Sequence, residues 1–361
     1  MGVTRANGVN PGPNAMQAAR TDKELIDATR PFAQEHRLTS WWKVISTFTL
    51  LAAGLVAGGS SSLWAAVGGA LAGPLGAGGA VASVALRITL AVVTGLLVVR
   101  AFILYHDYLH GAILRRSSAA RALFYTYGIF ALTPPRVWRE THNYHHAHTA
   151  KIVGSHVGSY AMVTPAIWAK MSAKERLVYK IIRHPVTILL GYFTIFMYGM
   201  GVSPLLRSPK KNWDSAVALV LALALNATLP FVLGPAGWIF GYLLPMAVAM
   251  ATGAYLFYAQ HNFPDIHVQP RDQWSYTRAA LESSSFMRMG PVMRWFTGNI
   301  GYHHVHHLNQ AIPFYRLPEA MAAIPELQDP PVTTLTVRDI VANFRLKLWD
   351  PEQGRMVGYP S

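Results

Sequence analysis

Four groups of histidine carry most of the chemistry open to this chain. They are His106-Asp-Tyr-Leu-His110, His142-Asn-Tyr-His145-His146-Ala-His148, the single His261 of Gln260-His261-Asn262, and His303-His304-Val-His306-His307. On a helix, residues i and i+4 share a face and i+3 lies close to it. His106 and His110 have the first spacing. His142, His145 and His146, and again His303, His306 and His307, have both. Each group can therefore aim two or three imidazoles at one point. With His261 the set reaches nine candidate ligands. That is more than one metal ion uses, and it suits two ions with positions left open for oxygen. Neutral imidazole serves zinc, iron, copper and nickel alike, so spacing does not choose the metal.

Other chemistries fall away. Cysteine is absent, which removes disulfides, Cys-zinc sites, iron–sulfur clusters and thiol nucleophiles. Neither the Glu-x-x-His of carboxylate-rich di-iron bundles nor the His-Glu-x-x-His of zinc proteases occurs. A dinuclear site here is therefore nitrogen-rich. Metal-bound imidazoles need their second nitrogen held by a carboxylate, carbonyl or amide. Asp107, Asn143, His148, Asn262, Asn299 and His304 flank the candidate ligands and are expected to orient them, Asp107 foremost. The isolated His36, His184 and His267 read as ordinary surface or core residues, and His156 as structural.

The elements that must position these groups are apolar. Of 361 residues, 52% are hydrophobic and 13% charged, the latter about half the share of an average soluble domain. Runs at 44–59, 83–105, 215–233 and 238–258 approach the ~20 residues that a spanning helix needs. The Gly/Ala/Ser-rich stretch 58–82 reads equally as a loop, a re-entrant piece or a third span. The run 186–202 reads as an interfacial helix, because a span there would part His142–His146 from His303–His307. Two hairpins of spanning helices then carry every histidine group on one face. Arg100, near the end of its run, is expected to snorkel to the interface. The net charge of +14 is uneven: residues 106–185 hold eleven Lys and Arg against three acids, as the cytoplasmic side of a positive-inside topology would. No signal peptide is read at the N-terminus, and no basic motif supports nucleic-acid binding.

His-x-x-x-His followed by two His-x-x-His-His boxes, interleaved with paired apolar runs, resembles the membrane fatty acid desaturases. Tyr258-Ala-Gln-His-Asn-Phe263, Asn299-Ile-Gly-Tyr-His-His-Val-His-His-Leu-Asn309 and Ile312-Pro-Phe-Tyr-Arg-Leu-Pro318 look like bacterial members. The first box departs from many desaturases, which carry Cys-Gly between its histidines. The resemblance implies an all-α polytopic integral membrane protein, with about four transmembrane helices and a cytoplasmic helical cap bearing the boxes. A polar segment 1–40, a desaturase-like domain 41–325 and a C-terminal tail 326–361 would make up the chain. His106, His110, His142, His145, His146, His303, His306 and His307 match the box ligands, with His261 as the additional one. They would hold two iron ions and use O2 as co-substrate.

The implied reaction removes hydrogen from two neighbouring methylenes of a lipid- or thioester-linked acyl chain lying in an apolar tunnel, leaving a double bond. Electrons would come from a separate donor such as a ferredoxin or a cytochrome b5-type protein. The implied location is a bacterial inner membrane, among membrane lipids, with the site facing the cytoplasm. Two competing readings remain at this stage. One is a lipid hydroxylase or carotenoid-modifying oxygenase of the same superfamily. The other is a His-rich membrane metal transporter, which would call for ionisable residues inside the spans.

Overall fold

The computed structural model describes residues 20–76, 78–152 and 157–360; His156 and the first 19 residues lie outside these. Among the described residues the regular structure is helical apart from two small sheets. Among the described residues four helices are long and apolar enough to cross a membrane: α1 (Arg37–Gly59), α3 (Gly78–His110), α7 (Trp213–Val232) and α8 (Gly234–Gln260). Helices satisfy their own backbone groups, which lipid cannot do. α1 packs along α3, α7 joins α8 at the turn between them, and α3 and α8 pack together at the centre of the bundle. Their approach is close because Gly95 carries no side chain: a Cβ there would fall 2.7 Å from the Pro245 carbonyl oxygen. Gly58 serves α1 in the same way, with Phe240 O 2.6 Å from where its Cβ would be. Lipid tails are as apolar as the helices, so such fit between small residues, not hydrophobic exclusion, holds spans together.

The stretch left open in the sequence is a helix, α2 (Ser61–Leu75), of 15 residues and too short to span alone. Ser60 breaks it from α1 and caps it, its hydroxyl accepting from Leu63 N. Ser61 donates to Leu233 O in the turn between α7 and α8 (3.2 Å). α2 then lies along the first turns of α3, with Gly79 against Leu71 and Ala72. It is the tip of the first hairpin.

The run 186–202 does not form a spanning helix either. After a short helix, Pro185–Leu189, it winds in π-helical turns from Tyr192 to Val202. Gly191 abuts Met250 and Ala254, and Gly201 abuts Leu219, so both ends meet α7 and α8 toward their histidine-side ends.

Two arginines sit in the bundle wall. Arg87 donates twice to Gly58 O (3.1 and 2.7 Å) and faces the rings of Trp64 and Phe240. Arg100 does not snorkel as expected. It is enclosed, 4% exposed, donating to Thr47 Oγ1 and Trp295 O beneath the Trp295 ring.

At 33 residues α3 is about 50 Å long, well beyond the ~30 Å of hydrocarbon. Part of it therefore lies outside the hydrocarbon, and His106 and His110 occupy its last turns. There they meet a cap that includes α4 (Ser118–Phe130), α5 (Pro135–Ala147), α6 (Ala173–Ile182) and α9 (His303–Leu308). The segment after 325 returns to this cap. Val332–Thr334 pairs in parallel with Phe286–Arg288, and Leu348–Asp350 pairs with Arg355–Val357. Strands of three residues leave no readable alternation in sequence.

Candidate metal centre

The four histidine groups come from four places. His106 and His110 end α3, and His142, His145 and His146 lie on α5. His261 follows α8 directly, and His303, His306 and His307 lie on α9. Several contacts fix these pieces. Arg136 N at the start of α5 donates to Asp214 on α7, Gln260 donates to Ile300 O just before α9, and Tyr276 donates to His307 O.

All nine imidazoles meet, in two sets. One nitrogen each of His106, His110, His142, His146 and His306 falls within a 4.8 Å cluster, and one each of His145, His261, His303 and His307 forms a second. The sequence spacing led us to expect each box to converge on a single point; the structure splits both triple boxes instead. Helix geometry explains the split: i+4 is rotated about 40° from i, and i+3 about 60° the other way. On α5 the i,i+4 pair His142/His146 serves the first set while His145 reaches the second. On α9 the pair His303/His307 serves the second while His306 reaches the first. The His146 ring stacks on that of His307 at 4.2 Å, so the two sets adjoin.

The nitrogens are spaced as ligands of an ion. Nε2 of His142 is 3.1 Å from Nε2 of His106 and of His146, and His146 is 3.1 Å from His306. In the second set His261 Nε2 is 3.1 Å from His145 and 2.9 Å from His303. Nitrogens bound at about 2.0–2.1 Å to one ion, at right angles, lie about 3 Å apart. Three tautomers follow from the partners. Ser283 O and the oxygens of an ionised Asp107 only accept, so Nδ1 of His106 (3.1 Å) and of His261 (3.0 Å) donates to them and Nε2 keeps its lone pair. The Thr149 hydroxyl is committed to His145 O, so its oxygen accepts from His307 Nδ1 (3.2 Å). Both nitrogens of His110 are buried without a hydrogen-bond partner among the described residues, as a ligand awaiting an ion would be.

Electrostatics keep the rings neutral, the form that binds metal. Burial, and after it the neighbouring imidazoles, holds His142, His145, His146, His303, His306 and His307 well below the ordinary imidazole range. Burial pushes His261 down to about 4.

Of the six residues expected to orient ligands, Asp107 hydrogen-bonds one. Its other oxygen accepts from Phe314 N (2.7 Å), tying α3 to the loop after α9. Asn299 donates to Phe314 O and so supports that loop. The remaining four act elsewhere. Asn143 is exposed, and His148 stacks on Tyr144 at 3.9 Å. His304 bonds Leu327 O, burial pushing it down to about 4. Asn262 accepts from the buried Arg183 and donates to Asn343 O, pinning the C-terminal segment.

Thr149 and the Ser283 carbonyl were missed by sequence reasoning. Thr149 is marked only by standing four residues after His145, and a backbone carbonyl has no sequence signature. Trp138, one of the aromatics bordering the boxes, stacks on His142 at 4.3 Å and walls the first set. Beside the second set lies a cavity of about 20 Å³ lined by His145, His261, Tyr160, Met162 and Tyr258. It has room for a water-sized molecule but not an acyl chain.

Comparison with known proteins agrees with this geometry. The sequence profile described as fatty acid desaturase matches residues 81–337. A fatty acid desaturase of Bacillus subtilis is 28% identical over 275 residues, 76% of this chain and 78% of that protein. An sn-1 oleoyl-lipid 12-desaturase of Synechocystis is 24% identical over 271 residues, 72% of this chain and 75% of the relative. An sn-1 acyl-lipid omega-3 desaturase (ferredoxin) of Nostoc is 24% identical over 212 residues, 54% of each chain.

Proposed function

Because this chain belongs to the fatty acid desaturase family, we propose that it is a diiron, oxygen-dependent enzyme that places a double bond in the acyl chain of a membrane lipid. The convergence of nine neutral imidazoles into a set of five and a set of four is the observation that carries this reading. His106, His110, His142, His146 and His306 would hold one iron, and His145, His261, His303 and His307 the other. Bound there, the pair of irons supplies what no side chain can, oxygen activation strong enough to break an unactivated C–H bond.

The reaction balances as follows. A –CH2–CH2– unit gives up two protons and two electrons, two hydrogen atoms in all, and becomes –CH=CH–. An external donor adds two electrons and solvent two protons, and O2 leaves as two waters. The protein's own residues have simpler tasks. Asp107, Ser283 O and Thr149 hold three ligand rings in the metal-binding tautomer, and the buried setting keeps bulk water from the centre.

The acyl-lipid substrate and a ferredoxin-type donor are inferred from the names of the cyanobacterial relatives. The excess of basic residues in 106–185 supports a cytoplasmic histidine face in the bacterial inner membrane, and it complements an acidic electron carrier. Lipid mass spectrometry of cells expressing the chain, beside a His306→Ala control, tests the reading. Acyl chains lighter by two mass units with the wild type alone are expected. A gain of sixteen units would mean oxygen insertion and overturn desaturation.

A further inference from the structure

Where α1 and α3 leave the membrane on the histidine side, three cations line one recess. It holds about 210 Å³, and Lys43, Arg100, Arg294, Trp295, Asn299 and Tyr315 form much of its wall. No carboxylate pairs with any of the three cations among the described residues. Arg100 is 4% exposed, yet only Nε and Nη1 find acceptors, Thr47 Oγ1 and Trp295 O; Nη2 has none among the described residues. The Trp295 ring, 4.1 Å from the guanidinium carbon, holds the plane of the group. The ammonium of Lys43 lies 5.9 Å from the centroid of Phe314, a ring that the Arg100 guanidinium also faces at 5.8 Å, and 6.0 Å from that of Tyr315. Like charges gathered on a partly desolvated wall repel, and an anion between them removes that cost. Planar guanidinium and flexible ammonium together are the donors that phosphate oxygens take best.

Exposed apolar side chains stand beside the recess in sequence, and one of them, Trp295, is in its wall. Trp42 next to Lys43 is 70% exposed, Val292 is 67% and Trp295 42%. Tryptophans at the end of spanning helices mark the headgroup level of a bilayer. An apolar flank at that level suits a phosphate carried on a lipid better than a free one.

We propose that the recess binds the phosphate of a glycerophospholipid head group in the leaflet on the histidine side. The inference rests on the acyl-lipid reading and deepens it, naming phosphate-bearing lipid as the substrate class. Arg100 stands six residues, about 9 Å of helix rise, before His106, so a lipid held here is anchored close to the first set of imidazoles.

Native mass spectrometry of the full chain in detergent tests the proposal, with two lipids of identical acyl chains, dioleoyl-phosphatidylglycerol and monogalactosyl-dioleoylglycerol. The wild type should retain the phospholipid at least tenfold more tightly than the galactolipid. A Lys43→Gln/Arg294→Gln double variant should lose that preference, and millimolar inorganic phosphate should not displace the phospholipid. Equal retention of the two lipids by the wild type overturns the site, and so does an unchanged preference in the variant. Displacement by inorganic phosphate assigns the recess to a free anion and overturns the lipid. If the variant does not fold, the wild-type comparison of the two lipids decides. Binding here needs no turnover: absent double bonds with intact head-group preference would sink the desaturase reading and leave the site standing.

Discussion

At the scale of single residues, Asp107 does the most for the candidate ligands. One oxygen sets the tautomer of His106 and the other takes the Phe314 N–H. Asn in its place keeps the size but offers one acceptor oxygen for two donors, so one buried donor goes unpaired. Asp107→Asn should cost about 10- to 100-fold in metal affinity, read by competition with a chelator. His148→Ala makes the contrast, since that ring stacks on Tyr144 and bonds the Tyr144 carbonyl within its own helix. It should keep full metal content and product yield; loss of either would place His148 in the centre. The candidate ligands themselves were legible because imidazole is scarce and i, i+3, i+4 spacing has a single geometric meaning. Of their orienting partners, Asp107 alone was legible. Asn143 and His304 sit beside ligands in sequence but face elsewhere, because adjacent positions on a helix point about 100° apart, and Asn262, just past the end of α8, is taken up by Arg183 and Asn343.

At the scale of elements, close packing at glycine sets how the spans meet. Gly95→Leu would drive a side chain into the Pro245 carbonyl and Val248. It should lower stability by about 1–3 kcal/mol, seen as an earlier thermal transition in detergent. The four spans were readable as apolar runs. The hairpin tip α2 was not, since Gly, Ala and Ser neither demand nor forbid a helix in lipid. The division of the boxes between two centres was hidden for a related reason: it depends on how α5 and α9 are rotated against each other, which only the packed structure fixes. These two helices are joined across the centre by imidazoles with converging lone pairs, His146 with His306 among them. Removing metal should therefore loosen them before the spans. Amide hydrogen exchange on protein with and without chelator should show faster exchange confined to α5, α9 and the residues around His261; uniform change across the spans would contradict this.

At the scale of the whole molecule, the lopsided charge, the four spans and the nine histidines fit one arrangement. The spans fix which face the boxes share, and α3, longer than the hydrocarbon is thick, carries His106 and His110 in its last turns. The basic loop 106–185 runs from the first box through the second, so the positive charge lies on that same face. A transporter reading fares poorly in this frame. Between Ser215 and Gln260 no residue is ionisable apart from two tyrosines, Tyr242 and Tyr255, and a third, Tyr258, near the histidine end. Arg87 is engaged with Gly58 O and two aromatic rings and lines no path. The central claim is that the nine imidazoles form two iron sites, and the metal content of purified protein tests it most directly. Protein from iron-replete cells should carry two irons for each chain, with neither replaced by zinc. A single metal ion per chain, or stoichiometric zinc in active protein, would contradict it.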